Sequence, residues 1–392
     1  MTIQITPYVL IAIPIACFGW AYVGYPAVLW LISRVAPQPH ALAEPEMWPF
    51  ISITLPAYNE SARIRATIES LLEIDYPADR RQILIVSDGS TDDTDTVVGE
   101  YSDRGVELFR VAQRCGKTSA ENAAAPALRG EIVINTDASI RIQRGSVKEL
   151  VRQFQDPTIG VASGRDVSVG EGAEGNRGES GYVSYEMWVR DLETRLGGIV
   201  GASGCLYAAR TEIQHTVLPG DIARDFASAL IARRKGLRAV SVRTATCIVA
   251  RTPSLRAETQ RKARTMARGL ETLRYGASLM NPFRHGGFAI KLASHKLARW
   301  LVYLSAPLAV AGIAMLALTS RVALVLLLAC IAGVALGVVA MRWPAGRRVP
   351  LPVAIAGFAL ASGVGGLRAW MLAARRKRLP MWEPTRRAAL PD

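Results

Sequence analysis

The 392 residues are 50% hydrophobic and carry a formal charge of +14, enough chain for one domain of roughly 200 residues plus a set of membrane helices. This composition excludes an ordinary soluble protein. The basic excess lies beside apolar runs, at Arg256 to Arg274, Lys291 to Arg299, Arg347 to Arg348 and Arg375 to Arg378, as juxtamembrane cations do. No nucleic-acid-binding motif accompanies it, so the expected partner is a lipid bilayer and not nucleic acid. The five cysteines stand singly, which excludes a zinc site or redox pair and fits a reducing, cytosolic catalytic side.

Residues 1–46 form an N-terminal anchor and linker. The apolar run from Tyr8 to Ile32 is long enough to span a bilayer, and without a basic segment before it or a small-residue cleavage site it reads as an uncleaved anchor. A Pro-rich linker (Pro37, Pro39, Pro45, Pro49) leads into a domain at 47–252 with the texture of an α/β fold. Strands are expected at Ile51–Leu55, Gln82–Val86, Glu107–Val111 and Glu131–Asn135, each ending where polar residues begin. The carboxyl ends of such strands form the ligand crevice of an open parallel sheet.

Three motifs follow strand ends. Pro56-Ala-Tyr-Asn-Glu60 follows the first and Ser87-Asp-Gly-Ser-Thr-Asp-Asp-Thr94 the second, with Gly89 leaving room for close backbone approach. Gly116-Lys117 opens a helix without a surrounding phosphate loop, which leaves Lys117 open to a surface role. Thr136-Asp-Ala-Ser139 places an Asp where it could ligate Mg²⁺ or Mn²⁺.

Taken together, these motifs resemble an inverting family 2 glycosyltransferase, a polysaccharide-synthase-like membrane member with a GT-A, Rossmann-like, nucleotide-sugar domain. The resemblance runs from Pro56 to about Arg274 and into the hydrophobic last third, including Trp382-Glu-Pro-Thr-Arg386. It implies that Pro56, Ala57, Tyr58 and Glu60 line the nucleotide pocket, that Asp88 contacts the base, that Lys117 belongs to the donor site, and that Asp137 is the first Asp of a metal-binding Asp-x-Asp pair. Ser139 stands where the second Asp often is, so the diphosphate and water would complete the ion's shell. It further implies an acceptor-side stretch at Glu179–Glu186 and Gly201-Ala-Ser-Gly204 with Arg210, in which Gly201, Ser203 and Gly204 admit the acceptor. Asp225 takes the position of the catalytic base, with Arg224 in place of its usual acidic partner and Asp221 as the competing carboxylate. Arg264 corresponds to the Arg of the family's Gln-x-x-Arg-Trp element and would stabilise diphosphate charge, while Arg261 and Thr265 stand at its Gln and Trp positions.

From Pro253 to about residue 297 the apolar residues Leu255, Ala263, Met266, Leu270 and Leu273 keep helical spacing opposite a basic face, as an amphipathic interfacial helix does. Residues 298–392 hold three apolar runs, Trp300 to Leu318, Val322 to Met341 and Leu351 to Met371, and a basic tail. Four crossings would put that tail on the side opposite the catalytic domain, against the positive-inside rule. A re-entrant or interfacial last run would remove the conflict.

The implied activity moves a sugar from a nucleotide-diphosphate sugar, by resemblance a UDP-sugar, to a glycan or lipid-linked acceptor at a bacterial inner membrane, in polysaccharide synthesis and in contact with export or synthase partners. Ser139, Arg224 and the missing Trp keep a second reading open, a catalytically inactive nucleotide-binding membrane protein that regulates or scaffolds a synthase.

Overall fold

The computed structural model describes residues 5–37, 42–169, 177–250, 255–344 and 349–375. Pro39, Pro253, Arg347, Arg348 and the tail beyond Arg375, with Trp382–Arg386, lie outside them, as do the side chains of 168–182. Eight strands form one mixed sheet: β1 (Ile51–Ala57), β2 (Arg81–Ser87), β3 (Val106–Arg110), β4 (Ile132–Thr136), β5 (Ile140–Ile142), β6 (Ile159–Val169), β7 (Leu206–Arg210) and β8 (Arg238–Ala250), in the order β3-β2-β1-β4-β7-β6-β8-β5. The four strands expected from sequence are β1 to β4, paired in parallel. β7 runs antiparallel to both β4 and β6 and joins the two halves of the sheet.

All seven residues of β1 are buried, because helices cover both faces of a parallel sheet. On one face, α3 (Ser61–Leu72) sets Ile64, Ile68 and Leu71 against Ile51, Ile53 and Leu55, the i, i+4, i+7 stripe that points to one side of a helix. The short α4 (Thr94–Gly99) follows β2 and α5 (Lys117–Ala124) precedes β4; α5 packs Ala120 and Ala124 on Leu84, Val86 and Val133. α6 (Ser146–Arg152), α7 (Arg177–Arg195), α8 (Thr211–Gln214) and α9 (Arg224–Arg234) complete the domain. Ala227 and Ile231 of α9 seal a second core under β6 and β7.

Four helices are long and apolar enough to cross a membrane: Ile5–Ser33, Gly287–Ala317, Arg321–Met341 and Leu351–Ala374. The first comprises α1 (Ile5–Gly19) and α2 (Tyr25–Ser33) joined through a π turn; α10 (Leu255–Tyr275) and the short α11 (Pro282–His285) precede the second, which runs through α12 (Gly287–Leu292) into α13 (Arg299–Ala317). α14 (Arg321–Met341) and α15 (Leu351–Ala374) follow. The second apolar helix thus begins at Gly287, a dozen residues before the run visible from Trp300, because Lys291, His295, Lys296 and Arg299 interrupt the hydropathy without interrupting the helix.

Those polar interruptions fasten the helices to the domain. His295 places Nδ1 2.7 Å from Glu193 Oε1 and Nε2 2.8 Å from Glu186 Oε1, Arg299 donates to Glu186, and Tyr25 of α2 donates to Glu193. Lys291 donates to the Gly198 carbonyl at 2.6 Å and Trp20 to Ser294 Oγ at 3.1 Å. Burial alone would raise the Glu186 carboxyl, but His295 and Arg299 outweigh it and hold it well below the usual carboxylate range. Because this folded-state pKa is depressed, its contribution is fully present above about pH 4.5 and is lost as pH falls. Glu186→Gln, which leaves a buried Arg299 short of its counterion, is expected to cost about 3 kcal/mol at neutral pH. Thermal unfolding in neutral detergent from pH 7 down to 3 would show the gap to wild type constant above about pH 4.5 and narrowing below it.

Candidate functional site

The first two motifs interlock at the carboxyl ends of β1 and β2. Asp88 N donates to the Ala57 carbonyl at 2.9 Å, Thr91 N to Asn59 Oδ1 at 2.8 Å, and Glu60 N to Thr94 Oγ1 at 2.8 Å. Asn59 takes a left-handed φ of 52° to make this turn, a conformation Asn tolerates better than most residues. Asp88 is only 1% exposed; its carboxylate accepts from Cys115 N at 2.8 Å and Gly116 N at 2.9 Å. In this geometry Asp88 braces the 113–116 loop, with both carboxylate oxygens accepting from its backbone. Gly89, at φ +65°, lets that loop close, since a Cβ there would lie 2.8 Å from Arg114 N. Burial and Asp88 together push the Cys115 thiol up to about 11. What the brace presents outward is Arg114, stacked 3.8 Å over the Tyr58 ring. Glu60 is 4% exposed beside Arg63 at 3.7 Å, and burial, partly offset by Arg63, raises its carboxyl.

A cavity of about 270 Å³ lies beyond β4, lined by Lys117, Asp137, Asp166, Gly204, Asp225 and the basic face of α10. Lys117 opens α5 behind Gly116 and reaches Asp137 Oδ1 at 2.5 Å. Burial would lower this ammonium, but Asp137 and Glu121 outweigh it and raise it above its ordinary value, so it is charged at neutral pH. Lys117 is therefore a cavity residue and not a solvated one. Asp225 sits in the first turn of α9, its Oδ2 3.0 Å from where a Cβ on Gly204 would stand. Any larger residue at 204 would cover the carboxylate. Ser203 Oγ donates to Asp166 Oδ1 at 2.6 Å, and the Ala202 N–H to the Asp225 carbonyl at 3.2 Å, which holds the 201–204 loop against both carboxylates. Gly201 packs beside Phe226.

Arg261, Arg264, Thr265 and Arg268 line the opposite wall. Arg268 donates to Thr118 Oγ1 and the Ile222 carbonyl, each at 2.8 Å, and burial lowers its guanidinium. It lies four residues after Arg264 and seven after Arg261, one helix face by spacing alone, a signal the motif comparison passes over. Asp166 has no motif around it and becomes visible only when β6 joins the sheet.

Two residues differ from their expected surroundings. Arg224 does not face the base position: its Nε lies 3.2 Å from Glu121 Oε2 and its Nη1 donates to the Gln214 carbonyl at 2.9 Å, both side chains being almost fully buried. The charge that an acidic partner would carry is thus replaced by an internal ion pair under α9. Arg210 donates to the Ile159 and Phe154 carbonyls and fastens β7 to β6 away from the cavity. In the Glu179–Glu186 stretch the described Glu186 belongs to the His295 cluster. Asp221 does not line the cavity; Asp225 does.

Among the described residues no three His, Cys, Asp or Glu side chains group to hold a metal. Asp137 supplies one carboxylate facing the cavity, which suits a hard cation that takes its remaining oxygens from a diphosphate and water. Arg224→Ala would strand the Glu121 carboxylate in the interior. A loss of about 3–5 kcal/mol is expected, readable as a fall in urea midpoint, with Arg224→Ala/Glu121→Leu recovering part of it.

Residues 52–214 match the profile of Glycosyl transferase family 2. Over 208 residues the chain is 26% identical to an N-acetylglucosaminyltransferase of Rhizobium sp., covering 49% of this chain and 44% of the relative. Over 157 residues it is 31% identical to a beta-monoglucosyldiacylglycerol synthase of Nostoc sp., covering 38% and 33%. The chain thus spans less than half the length of these curated relatives. A mannosyltransferase of Pyrobaculum calidifontis, solved with GDP-Man and Mn²⁺, superimposes with a TM-score of 0.70 at 23% identity, covering 94% of this chain and 99% of that one. The fold is the GT-A glycosyltransferase fold with apolar helices attached.

Proposed function

From the premise that residues 52–214 form a family 2 glycosyltransferase domain, we propose that the chain transfers a sugar from a nucleotide-diphosphate donor to a lipid or lipid-linked acceptor, with inversion. The observation that carries this reading is one cavity holding Asp137 and Lys117 on one wall, Asp225 behind Gly204, and Arg261, Arg264 and Arg268 opposite. The relatives' names, a diacylglycerol glucosyltransferase among them, favour a lipid-borne acceptor, and UDP is the donor carrier we infer.

Tyr58 and Arg114 offer a flat cation–π surface for the base, placed by the Asp88 brace. Lys117 and the α10 guanidiniums neutralise the diphosphate as it leaves. A divalent cation, Mg²⁺ or Mn²⁺, held by Asp137 would supply further charge neutralisation on the diphosphate. Asp225 removes the proton of the acceptor hydroxyl as that oxygen attacks the anomeric carbon from the face opposite the leaving group. Ser203 and Asp166 hold the acceptor-side loop, and the small residues at 201 and 204 leave space for the incoming sugar or lipid headgroup.

The test is release of nucleoside diphosphate by the purified full chain over a panel of UDP- and GDP-sugars, with Mg²⁺ or Mn²⁺ and membrane lipid extract as acceptor. Metal-dependent turnover of one donor is expected, with Asp225→Asn still binding donor but about 10²–10⁴-fold slower, and Asp137→Ala losing the metal response. Donor binding without turnover in every mixture would move the regulatory reading ahead.

The same reading fixes a topology. α10 turns Arg261, Arg264 and Arg268 to the cavity and packs its other face on α15 through Met266, Ala267 and Leu270 against Ala369 and Ala373. Lys262 Nζ donates to Ser362 Oγ at 2.9 Å, and Trp370 Nε1 donates to the Trp300 carbonyl at 2.9 Å at the domain end of α13. α15 therefore follows α10 for about 17 Å at 1.5 Å per residue. If it crossed the hydrocarbon it would take α10's cations with it, at about 2.5–3.5 kcal/mol each. We assign α15 to the leaflet facing the catalytic domain, which leaves three crossings and puts Arg375 on the domain's side. Single cysteines in a background without native ones, at Asp79, Thr319 and Arg375, report this through an impermeant maleimide: Arg375→Cys should label with Asp79→Cys, and Thr319→Cys from the other side.

A further inference from the structure

A second cavity, of about 320 Å³, lies at the junction of α2, α7 and the β6–β8 edge, and the transfer chemistry makes no use of it. Its walls carry Arg34 just after α2, Arg165 of β6, Arg195 of α7 and Arg243 of β8, and against these four guanidiniums stands one carboxylate, Asp191. Asp191 Oδ2 is 3.2 Å from Arg243 Nε. Arg195 spends one nitrogen on the Ser33 carbonyl at 2.7 Å, while its buried Nε has no partner. Arg165 makes no hydrogen bond among the described residues. Burial raises the Asp191 carboxyl even with Arg243 and Arg165 close by, and a single carboxylate leaves four guanidiniums with excess positive charge.

The place of this cavity is set by the chain. The 29-residue apolar helix ends at Ser33, and Arg34 stacks 4.3 Å over the Trp30 ring. Trp30 and Trp188, 40% and 41% exposed, flank the opening. Aromatic rings and arginines at the end of an apolar helix mark the headgroup level of a bilayer. Guanidiniums in excess of carboxylates, held at that level around a space of this size, match a phosphate ester in charge and in hydrogen-bond geometry.

We propose that this cavity binds the phosphate of an anionic lipid headgroup from the leaflet facing the catalytic domain, at a site separate from the transfer cavity. Arg165 and Arg243 supply the open donors, Arg34 and Trp30 close the site toward the lipid, and Asp191 repels a second anion. The site sits one residue along β6 from Asp166, so an occupied headgroup fixes the strand that carries the acceptor-side carboxylate. This inference stands apart from the transfer reading, since its readout is lipid binding and not turnover.

The experiment titrates the purified full chain in neutral detergent with dioctanoyl phosphatidylglycerol, following the thermal midpoint, beside dioctanoyl phosphatidylcholine and inorganic phosphate. The expected result is a saturable rise with phosphatidylglycerol, none with phosphatidylcholine, and none with phosphate at the same concentration. Arg165→Gln/Arg243→Gln should weaken the phosphatidylglycerol response at least tenfold. Asp191→Asn should tighten it, a gain that a misfolded variant could not produce. Equal responses to the two lipids, or a phosphatidylglycerol affinity unmoved in both variants, overturns the site. A phosphate shift matching that of phosphatidylglycerol and lost in the double variant overturns the lipid as its ligand.

Discussion

α10 turns arginines to a polar cavity on one side and small and apolar residues to another helix on the other, the two-faced pattern of an interfacial helix. Much of the molecule is arranged by it. Its basic face supplies one wall of the Asp137–Asp225 cavity, and its other face needs cover, which α15 gives through Gly365, Ala369 and Ala373. Small residues there let the two backbones approach as larger side chains would not. Catalytic wall and membrane contact are thus two sides of one element, and a shift of the bundle would move Arg264 and Arg268.

Charge is balanced locally inside the transfer cavity. Lys117 answers Asp137 at 2.5 Å, Arg224 answers Glu121 at 3.2 Å, and Asp225 lines the cavity across from Arg268. The two cations already paired are fixed in position before any ligand arrives, which is how a site supplies electrostatic stabilisation without reorganising. Asp225 lies beside Gly204, and the proposed base role falls to it as a cavity carboxylate outside both of these ion pairs.

Much of the architecture is legible in the sequence because it depends on local pattern. β1 to β4 announce themselves as short apolar runs, and the residues that follow each strand, Tyr58, Asp88 and Asp137, land at one edge because parallel strands share a carboxyl end. What the sequence hides is pairing over distance and side-chain direction. Arg224 and Asp225 are neighbours in the chain and both border the cavity, yet a helical turn of 100° per residue points one guanidinium at Glu121 and the other side chain, the carboxylate, toward Gly204. Glu186 and His295 are 109 residues apart, and no periodicity links them. The motif gives Asp88 a base contact but not the second task its carboxylate carries, accepting from the Cys115 and Gly116 N–H groups.

The hidden pairings also explain why the apolar helices cannot act as a passive anchor. Tyr25 on the first apolar helix, Glu186 and Glu193 on α7, and His295 and Arg299 on the second form one buried hydrogen-bonded group. Removing any member leaves a charge or polar atom without its partner in a low-dielectric setting, so the group tends to be made or broken as a unit. α7 then transmits the position of the bundle into the domain: from Glu193 it runs to the turn at Gly197 and Gly198, and three residues later begins the loop that holds Ser203 over Asp166 and Gly204 beside Asp225. A bilayer that tilts the first two apolar helices relative to each other would have to strain this group or move that loop. The 201–204 loop and the α10 wall are accordingly the parts of the cavity tied to the apolar helices, while the turn built on β1, β2 and the Asp88 brace is held by the sheet.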